Sequence, residues 1–543
     1  MKLGSYVQQR MLKLGPPLTR EVAVERDLAV PMPDGVTLRA DRWFPAAADP
    51  AIPTALIRTP YGKKLTGGGM ARPLAERGYQ VLIQDVRGCF TSEGTFDPMR
   101  QERADGLATL EWLVEQPWCA GSIVLIGTSY MGYVQWAVAD ALPPAVKAMI
   151  PHLSESALTL EFLRADGLSL ETPFNWGVQM VGMGKKWPAV HVLAGVLRGT
   201  RALTTLPLRG ADEVAAGEHS AYVQDVLSRP AGDPRWEGID HHDRVGDVSV
   251  PVSLVAGWYD IFLPGQLRDF RTLQDAGKTA RLTVGPWTHL SRDNTATAEA
   301  LGFGLACAHG TALPVRAPVR LFVMGEDRWR DFDAWPPSEY SPRRLHLQAG
   351  GGLTTGMPAE SAPSRYRYDP ADPTPALGGV RMNMDPRHRG GRVDNRRLET
   401  RPDVLTYTTN PLDRDVEIVG EVNAEVWFRS SLAHADVFVR LCDVDTSGHS
   451  SNICDGLVSL DDAGDIRRAT VRLWPTAYRF RRGHRIRVQV SSGAFPRYAR
   501  NLGAGEPHAT ATTIRVGRQE VFHDPAHPSA ILLPVSTAMD WRG

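Results

Sequence analysis

Three residue types, met in a fixed order along the chain, could carry acyl-transfer chemistry. Ser129 sits in Gly127-Thr128-Ser129-Tyr130-Met131-Gly132, directly after the apolar run Ile123–Ile126. A serine hydroxyl attacks a carbonyl only when a base takes its proton, and the base needs a third group to orient it. Two later apolar runs supply candidates. One ends in Gly257-Trp258-Tyr259-Asp260 and the other in Gly285-Pro286-Trp287-Thr288-His289. Each polar residue follows a strand pattern and a glycine, where loops project over the carboxyl edge of an open parallel sheet. Asp260 is the expected acid and His289 the expected base. Taken singly, each has a plainer reading: Ser129 or Asp260 as a helix cap, His289 as a satisfied polar side chain. Their joint order and matched placement favour the triad.

The oxyanion needs donors too. The backbone N–H of the residue after the nucleophile, Tyr130, is one. Tyr61, in the run LIRTPYGK at 56–63, offers a hydroxyl as a second, with a buried structural tyrosine as the alternative. Phe262, two residues past the acid, must lie near the site if Asp260 does. Trp258, and the aromatics Phe174 and Trp176 further upstream, are candidate substrate contacts, with core packing an equal alternative. Asp85, Arg87 and Ser92-Glu93-Gly94 follow a strand at the same edge and are expected to tie a loop. Asp240-His241-His242-Asp243 superficially resembles metal ligands, but adjacent histidines rarely face one ion, so no metal is expected.

The elements that must position these residues follow from patterning. Apolar runs at 54–58, 81–85 and 123–126 alternate with helical periodicity at 71–78 and 100–116, which predicts an α/β core with a mainly parallel sheet. Asp34-Gly35 between alternating runs predicts a hairpin with both turn residues at positive φ. From 153 to 245 only helix-like stretches occur, and the strand pattern resumes at 250–256 and 280–284, so a helical cap interrupts the core. The catalytic domain is expected over 1–152 and 246–334, and the cap over 153–245. Residues 336–402 are rich in Pro, Gly and Arg and suggest loops, before many short alternating runs that predict a β-sandwich within 335–543.

Composition narrows the function. Lys+Arg and Asp+Glu are both 61, so net charge gives no bulk drive toward nucleic acid or an anionic membrane. The five cysteines are scattered without C-x-x-C spacing. No signal-peptide core and no apolar run of about 20 residues is present. A cytoplasmic protein is expected, with no nucleic-acid or membrane partner, and a homodimer is the assembly left open.

At these motifs the chain resembles the cocaine esterase and X-prolyl dipeptidyl-peptidase family of serine hydrolases. That family's nucleophile motif is G-x-S-Y-x-G, which residues 127–132 match with the second glycine one place later than in G-x-S-x-G. EWLVEQPWCAGSIVLIG at 111–127, RTPYGK at 58–63, QDVRGCFTSEGTF at 84–96, GWYDIF at 257–262 and GPWTH at 285–289 look like the family as well. So do DVLTYTTNPL at 403–412 and SSGAFPRYARN at 491–501. The resemblance implies an α/β-hydrolase core, an inserted helical cap and a C-terminal jelly-roll sandwich. It implies Ser129, Asp260 and His289 as the triad, Tyr61 and the Tyr130 N–H as oxyanion donors, and no cofactor. The expected substrate is a small-molecule ester or amide. Alternatives are an X-prolyl dipeptidyl-peptidase, an α-amino acid ester or β-lactam acylase, a biosynthetic acyltransferase or lactone-forming enzyme, and a non-catalytic binding protein. The peptidase and the acylase need a carboxylate for a free ammonium, for which Glu161, Asp166 and Glu171 are available.

Overall fold

The computed structural model describes residues 2–47, 52–163, 167–230, 232–290 and 294–538. A ten-stranded sheet forms its centre. In chain order its strands are β1 (Val22–Pro31), β2 (Thr37–Pro45), β3 (Thr54–Thr59), β4 (Gln80–Asp85), β5 (Ile123–Thr128), β6 (Val146–His152), β7 (Val252–Tyr259), β8 (Ala280–Thr288), β9 (Val319–Val323) and β10 (Arg328–Phe332). They lie side by side as β1-β2-β4-β3-β5-β6-β7-β8-β9-β10. The neighbours from β4 through β9 pair in parallel, and the two strands at one edge and the last at the other are antiparallel.

Strands covered on both faces read as continuous apolar runs rather than alternating ones, and β3 and β4 are buried at every position. Ile57, Val81 and Val124 face one core with Leu74 and Phe303, while Leu56, Leu82 and Leu125 face another with Leu110 and Trp136. Helices α1 (Lys2–Met11) and α2 (Lys63–Gly69) pack against α3 (Ala71–Ala75), which covers one face with the turn Ala300–Gly304, and α4 (Glu102–Val114) and α5 (Tyr130–Trp136) cover the other.

The β1–β2 hairpin differs from expectation at its turn. Only Gly35 takes positive φ, at 86°. Asp34 stays out of the left-handed region and binds Arg87 instead, at 2.7 Å. The loop closes through Met32 N–H to Val36 O and Gly35 N–H to Met32 O, so it is longer than a two-residue turn.

Between β6 and β7 the chain is helical, with α6 (Glu171–Met183), α7 (Pro188–Ala202) and the shorter helices Ala211–Ala216 and Ala221–Ser228. Phe174, Val178, Ala202 and Val223 form the inside of this cap. After β10 come an eight-stranded and a four-stranded sheet, the two layers of a β-sandwich. The long strand Val416–Ser430 organises the larger one. One side pairs with Arg467–Phe480, and the other pairs first with Ala530–Ser536 and then with Gly517–Asp524. The segment expected to be loops, 336–402, contributes three further strands, Tyr340–Leu347, the short Leu353–Thr354 and Ser364–Tyr368. Pro342 and the Arg343–Arg344 pair masked the first: its outer half is exposed and only Leu345, His346 and Leu347 are buried. Among the described residues no helix is long and apolar enough to cross a membrane.

Candidate active site

Ser129 stands between the last residue of β5 and the first of α5, at φ 61° and ψ −127°. A side-chain-bearing residue holds such a backbone only when its surroundings fix it. Here its N–H bonds His152 O at 2.9 Å and its carbonyl accepts from Gly132 and Tyr133 at 2.8 and 2.9 Å. The residue occupies the cap position of α5 yet makes no side-chain cap bond. Both flanking glycines are required by close approach. A Cβ on Gly127 would lie 2.2 Å from Met131 O, and one on Gly132 would lie 2.7 Å from Ser154 Cβ. The late glycine therefore belongs to the contact with the end of β6, and Met131 turns toward the cavity beside the serine.

The freed hydroxyl lies 2.9 Å from His289 Nε2, and His289 Nδ1 lies 2.7 Å from Asp260 Oδ2. Asp260 is fully buried, and its other oxygen accepts the Phe262 N–H at 2.9 Å. A carboxylate on Nδ1 fixes the imidazole with Nε2 as acceptor, the arrangement a general base needs. The turns that carry both groups are tight: a Cβ on Gly257 would lie 2.4 Å from Trp287 O, and one on Gly285 would lie 2.5 Å from the Trp287 ring. Phe262 meets the His289 ring edge-on at 5.4 Å and is backed by Phe162 at 5.0 Å.

Two donors face the serine. The Tyr130 N–H is the first of α5, where no carbonyl of its own helix can accept it. Tyr61 has its hydroxyl in hydrogen-bond reach of Ser129, and burial pushes its pKa up, so it stays protonated. The Trp176 indole N–H donates to the Tyr61 oxygen at 3.1 Å, which leaves the tyrosine's own hydrogen to point into the site. Trp176 also stacks on the Tyr130 ring, at 5.9 Å and 12°. The Tyr130 hydroxyl donates to Glu102 at 2.7 Å and accepts from Met99 N–H at 2.8 Å, and Glu102 pairs with Arg58 at 3.0 Å in the interior. Both donors are thus held from behind.

The Tyr61 loop is anchored on its other side by Lys63, which is 1% exposed. Its N–H meets Asp85 at 2.6 Å, and its ammonium reaches Asp85 at 3.2 Å and Asp27 at 2.8 Å. Gly62, at φ 88°, lies under the Phe90 ring, 2.9 Å from where a Cβ would stand. Asp85 is therefore an anchor, and Arg87 ties Asp105 and Asp34.

A cavity of about 310 Å³ opens over these groups, lined by Tyr61, Ser129, Trp176, Val178, His289 and Met382 among others. Of the expected substrate contacts, Trp176 lines it and Phe262 abuts the histidine. Trp258 does not reach it. The residue is 1% exposed, and its indole donates to Phe322 O on the β9 side of the sheet. Phe174 is likewise 1% exposed inside the cap. It lies two residues before Trp176, and that spacing turns the two to different faces of one helix. Met382, Asn383 and Met384, from the segment after β10, line the cavity and gave no signal in sequence.

Of the carboxylates considered for an ammonium, Glu171 is the one with a described side chain, and it is already paired. Glu171 is bonded by Arg381 at 2.5 and 2.7 Å and by Asn383 at 2.8 Å. The Glu161 side chain and Asp166 lie outside the described residues. At Asp240–Asp243, His241 meets the Tyr133 hydroxyl and Asp240 meets Thr159. Among the described residues no group of three His, Cys, Asp or Glu is arranged to hold a metal ion.

Known proteins resemble this chain over most of its length. The profile of the X-Pro dipeptidyl-peptidase (S15 family) matches residues 34–291, and that of the X-Pro dipeptidyl-peptidase C-terminal non-catalytic domain matches 315–532. A cocaine esterase from Rhodococcus sp. (strain MB1 Bresler) is 34% identical, over 94% of this chain and 98% of its own. Two solved structures share the fold across both chains. An aminopeptidase from a marine sediment Thaumarchaeota archaeon superposes with a TM-score of 0.81 at 22% identity, covering 95% and 97% of the two chains. An α-amino acid ester hydrolase does so with a TM-score of 0.80 at 21% identity, covering 96% and 98%.

Proposed function

The chain belongs to the serine-hydrolase family of the X-Pro dipeptidyl-peptidases and cocaine esterase, and from that premise we propose that it cleaves uncharged small-molecule esters through an acyl-enzyme on Ser129. The observation that carries this reading is the hydrogen-bonded chain Asp260–His289–Ser129 at the mouth of a cavity whose described lining holds no carboxylate.

His289 takes the Ser129 proton as Oγ attacks the ester carbonyl, and the Asp260 carboxylate stabilises the imidazolium. The carbonyl oxygen gains charge between the Tyr61 hydroxyl and the Tyr130 N–H, donors fixed before the charge develops. Collapse breaks the bond to the leaving oxygen, which receives the proton from His289. Water, deprotonated by the same histidine, then releases the acid.

An aminoacyl-proline or α-amino ester substrate would need a carboxylate for its ammonium. Glu171 is a poor source, because Arg381 already occupies both of its oxygens. Hydrolysis of p-nitrophenyl acetate should therefore exceed that of Ala-Pro-p-nitroanilide. The reverse ranking would move the assignment to the peptidase branch. Ser129→Ala should lose labelling by a fluorophosphonate probe, and stoichiometric labelling that survived in the folded variant would remove Ser129 as nucleophile.

A further inference from the structure

A second and larger space reaches the same histidine. It measures about 1050 Å³ and is walled on one side by α1, through Gly4, Val7 and Met11, and on another by Gly68 and Gly69 of α2. At its inner end are Trp287, Thr128 and His289. Thr128 and His289 line both cavities, whereas Ser129, Tyr61 and Trp176 line only the smaller.

The wall is built, not incidental. Helix α1 is pinned on α2 and α3 by Gln8, whose amide donates to the Gly68 and Gly69 carbonyls at 3.0 and 2.9 Å, and by Ser5, which donates to Glu76 at 2.9 Å. Gly4, Val7 and Met11 recur every three to four residues, so they form one stripe beside those anchors. Three successive glycines in a helix cost about 1 kcal/mol each relative to alanine. Gly67 has a packing reason, since a Cβ there would lie 3.0 Å from the Trp43 ring. Gly68 and Gly69 have none: neither would meet an atom within 4 Å, and neither has positive φ. What their missing side chains provide is room.

We propose that this α1-walled space is the leaving-group site, and that it takes a bulky, uncharged, mainly apolar alcohol, since Arg72 in its lining is already paired with Glu76 at 3.1 Å. The assignment rests on the Ser129–His289 reading above and on which groups each cavity contains. The acyl carbon must bond Ser129 Oγ with its oxygen at Tyr61 and the Tyr130 N–H, so the acyl group belongs in the cavity that Ser129 and Tyr61 line. The departing oxygen must meet the acid that protonates it, so its substituent belongs where His289 is the catalytic group at hand. When the carbonyl–oxygen bond breaks, the imidazolium proton passes to that oxygen, the acyl group stays on Ser129, and the alcohol is released into the larger space. The volumes then specify an ester whose alcohol is larger than its acid.

The test varies the alcohol and the acid separately in the full-length protein. One series keeps the acetyl group and runs from the methyl to the menthyl ester; the other keeps methanol and runs from acetate to benzoate. Two variants narrow the space from opposite walls, Gly68→Leu with Gly69→Leu, and Met11→Trp. Leucine favours a helix over glycine, so the first variant should fold, and any common loss cancels in a ratio. The menthyl-to-methyl ratio of kcat/KM should fall by about tenfold or more in both variants, with the benzoate-to-acetate ratio held within about twofold. An unchanged menthyl-to-methyl ratio in an active, Ser129-dependent enzyme overturns the proposal alone. A fall in the benzoate ratio instead overturns it by making the space an acyl site. Absence of Ser129-dependent hydrolysis in the wild type overturns the hydrolase reading and this proposal with it.

Discussion

Tyr61 can stabilise an oxyanion only if its hydrogen is not already given to a neighbour. The Trp176 indole supplies that condition by donating to the Tyr61 oxygen. Tyr61→Phe should lower kcat by about 10²–10³, the usual loss for one oxyanion donor. Trp176→Phe keeps a ring against Tyr130 but removes the N–H. It should lower kcat by about tenfold, the scale of a single neutral hydrogen bond, with a smaller change in KM. In the Tyr61→Phe background the Trp176→Phe step should cost nothing further in kcat. Equal losses in both backgrounds would mean that Trp176 acts only by packing. Ser129, Asp260 and His289 were legible because each follows a strand and a glycine, a local pattern. The part played by Trp176 was not, since its partner lies 115 residues away and an aromatic on a cap helix signals burial as readily as function.

Elements carry the site by anchoring loops, and the Tyr61 loop shows how. Lys63 is buried against Asp85 and near Asp41, at 3.2 and 4.0 Å, and both carboxylates are buried as well. Burial already pushes the Asp85 pKa up, against the pull of Lys63. Asp41 keeps Arg26 at 2.7 Å, but Lys63→Met would leave Asp85 without its cation, a loss of about 3–5 kcal/mol for a buried pair broken on one side. The melting temperature should drop. The raised Asp85 carboxyl regains its proton first as pH falls, so the deficit should be smaller at pH 5 than at pH 7.5. A deficit independent of pH would show lost packing rather than stranded charge. The strands at 54–58, 81–85, 123–126, 250–256 and 280–284 and the helical cap could be read from periodicity, because each pattern holds over many residues. The hairpin turn could not, because Asp34 is drawn to Arg87, a partner 53 residues on. The strand Tyr340–Leu347 escaped for a related reason, as its outer half is exposed and its charges give no alternation.

On the scale of the whole molecule, the hydrolase sheet and the β-sandwich are not separate bodies. Trp258 and Met324 of the first share one contiguous apolar core with Trp335, Val416 and Tyr478 of the second. Backbone bonds join them as well, from Met324 N–H to Ala477 O and from Arg479 N–H to Met324 O. Arg381 reaches from the C-terminal part to Glu171 of the cap, and Met382–Met384 close the catalytic cavity. A shared core predicts one cooperative unfolding transition, in which a change deep in the sandwich moves the thermal loss of hydrolase activity. Asp436 provides the lever. It is buried on the strand Ala435–Val444, accepts from Asn501 at 2.9 Å, and its pKa is pushed up to about 6 by that burial. The folded chain therefore holds a proton that the unfolded chain releases above about pH 4. Stability is eroded as pH rises from about 4 to 6, and the erosion is complete above that, by roughly 3 kcal/mol at most. Asp436→Asn keeps the acceptor for Asn501 and removes the charge. At pH 7.5 it should raise the single calorimetric transition by a few degrees, and the temperature at which activity is lost by the same amount. Below about pH 4 the two proteins should melt together. Two transitions, with only the one unconnected to activity shifted, would show that the common core does not couple the sandwich to the catalytic sheet.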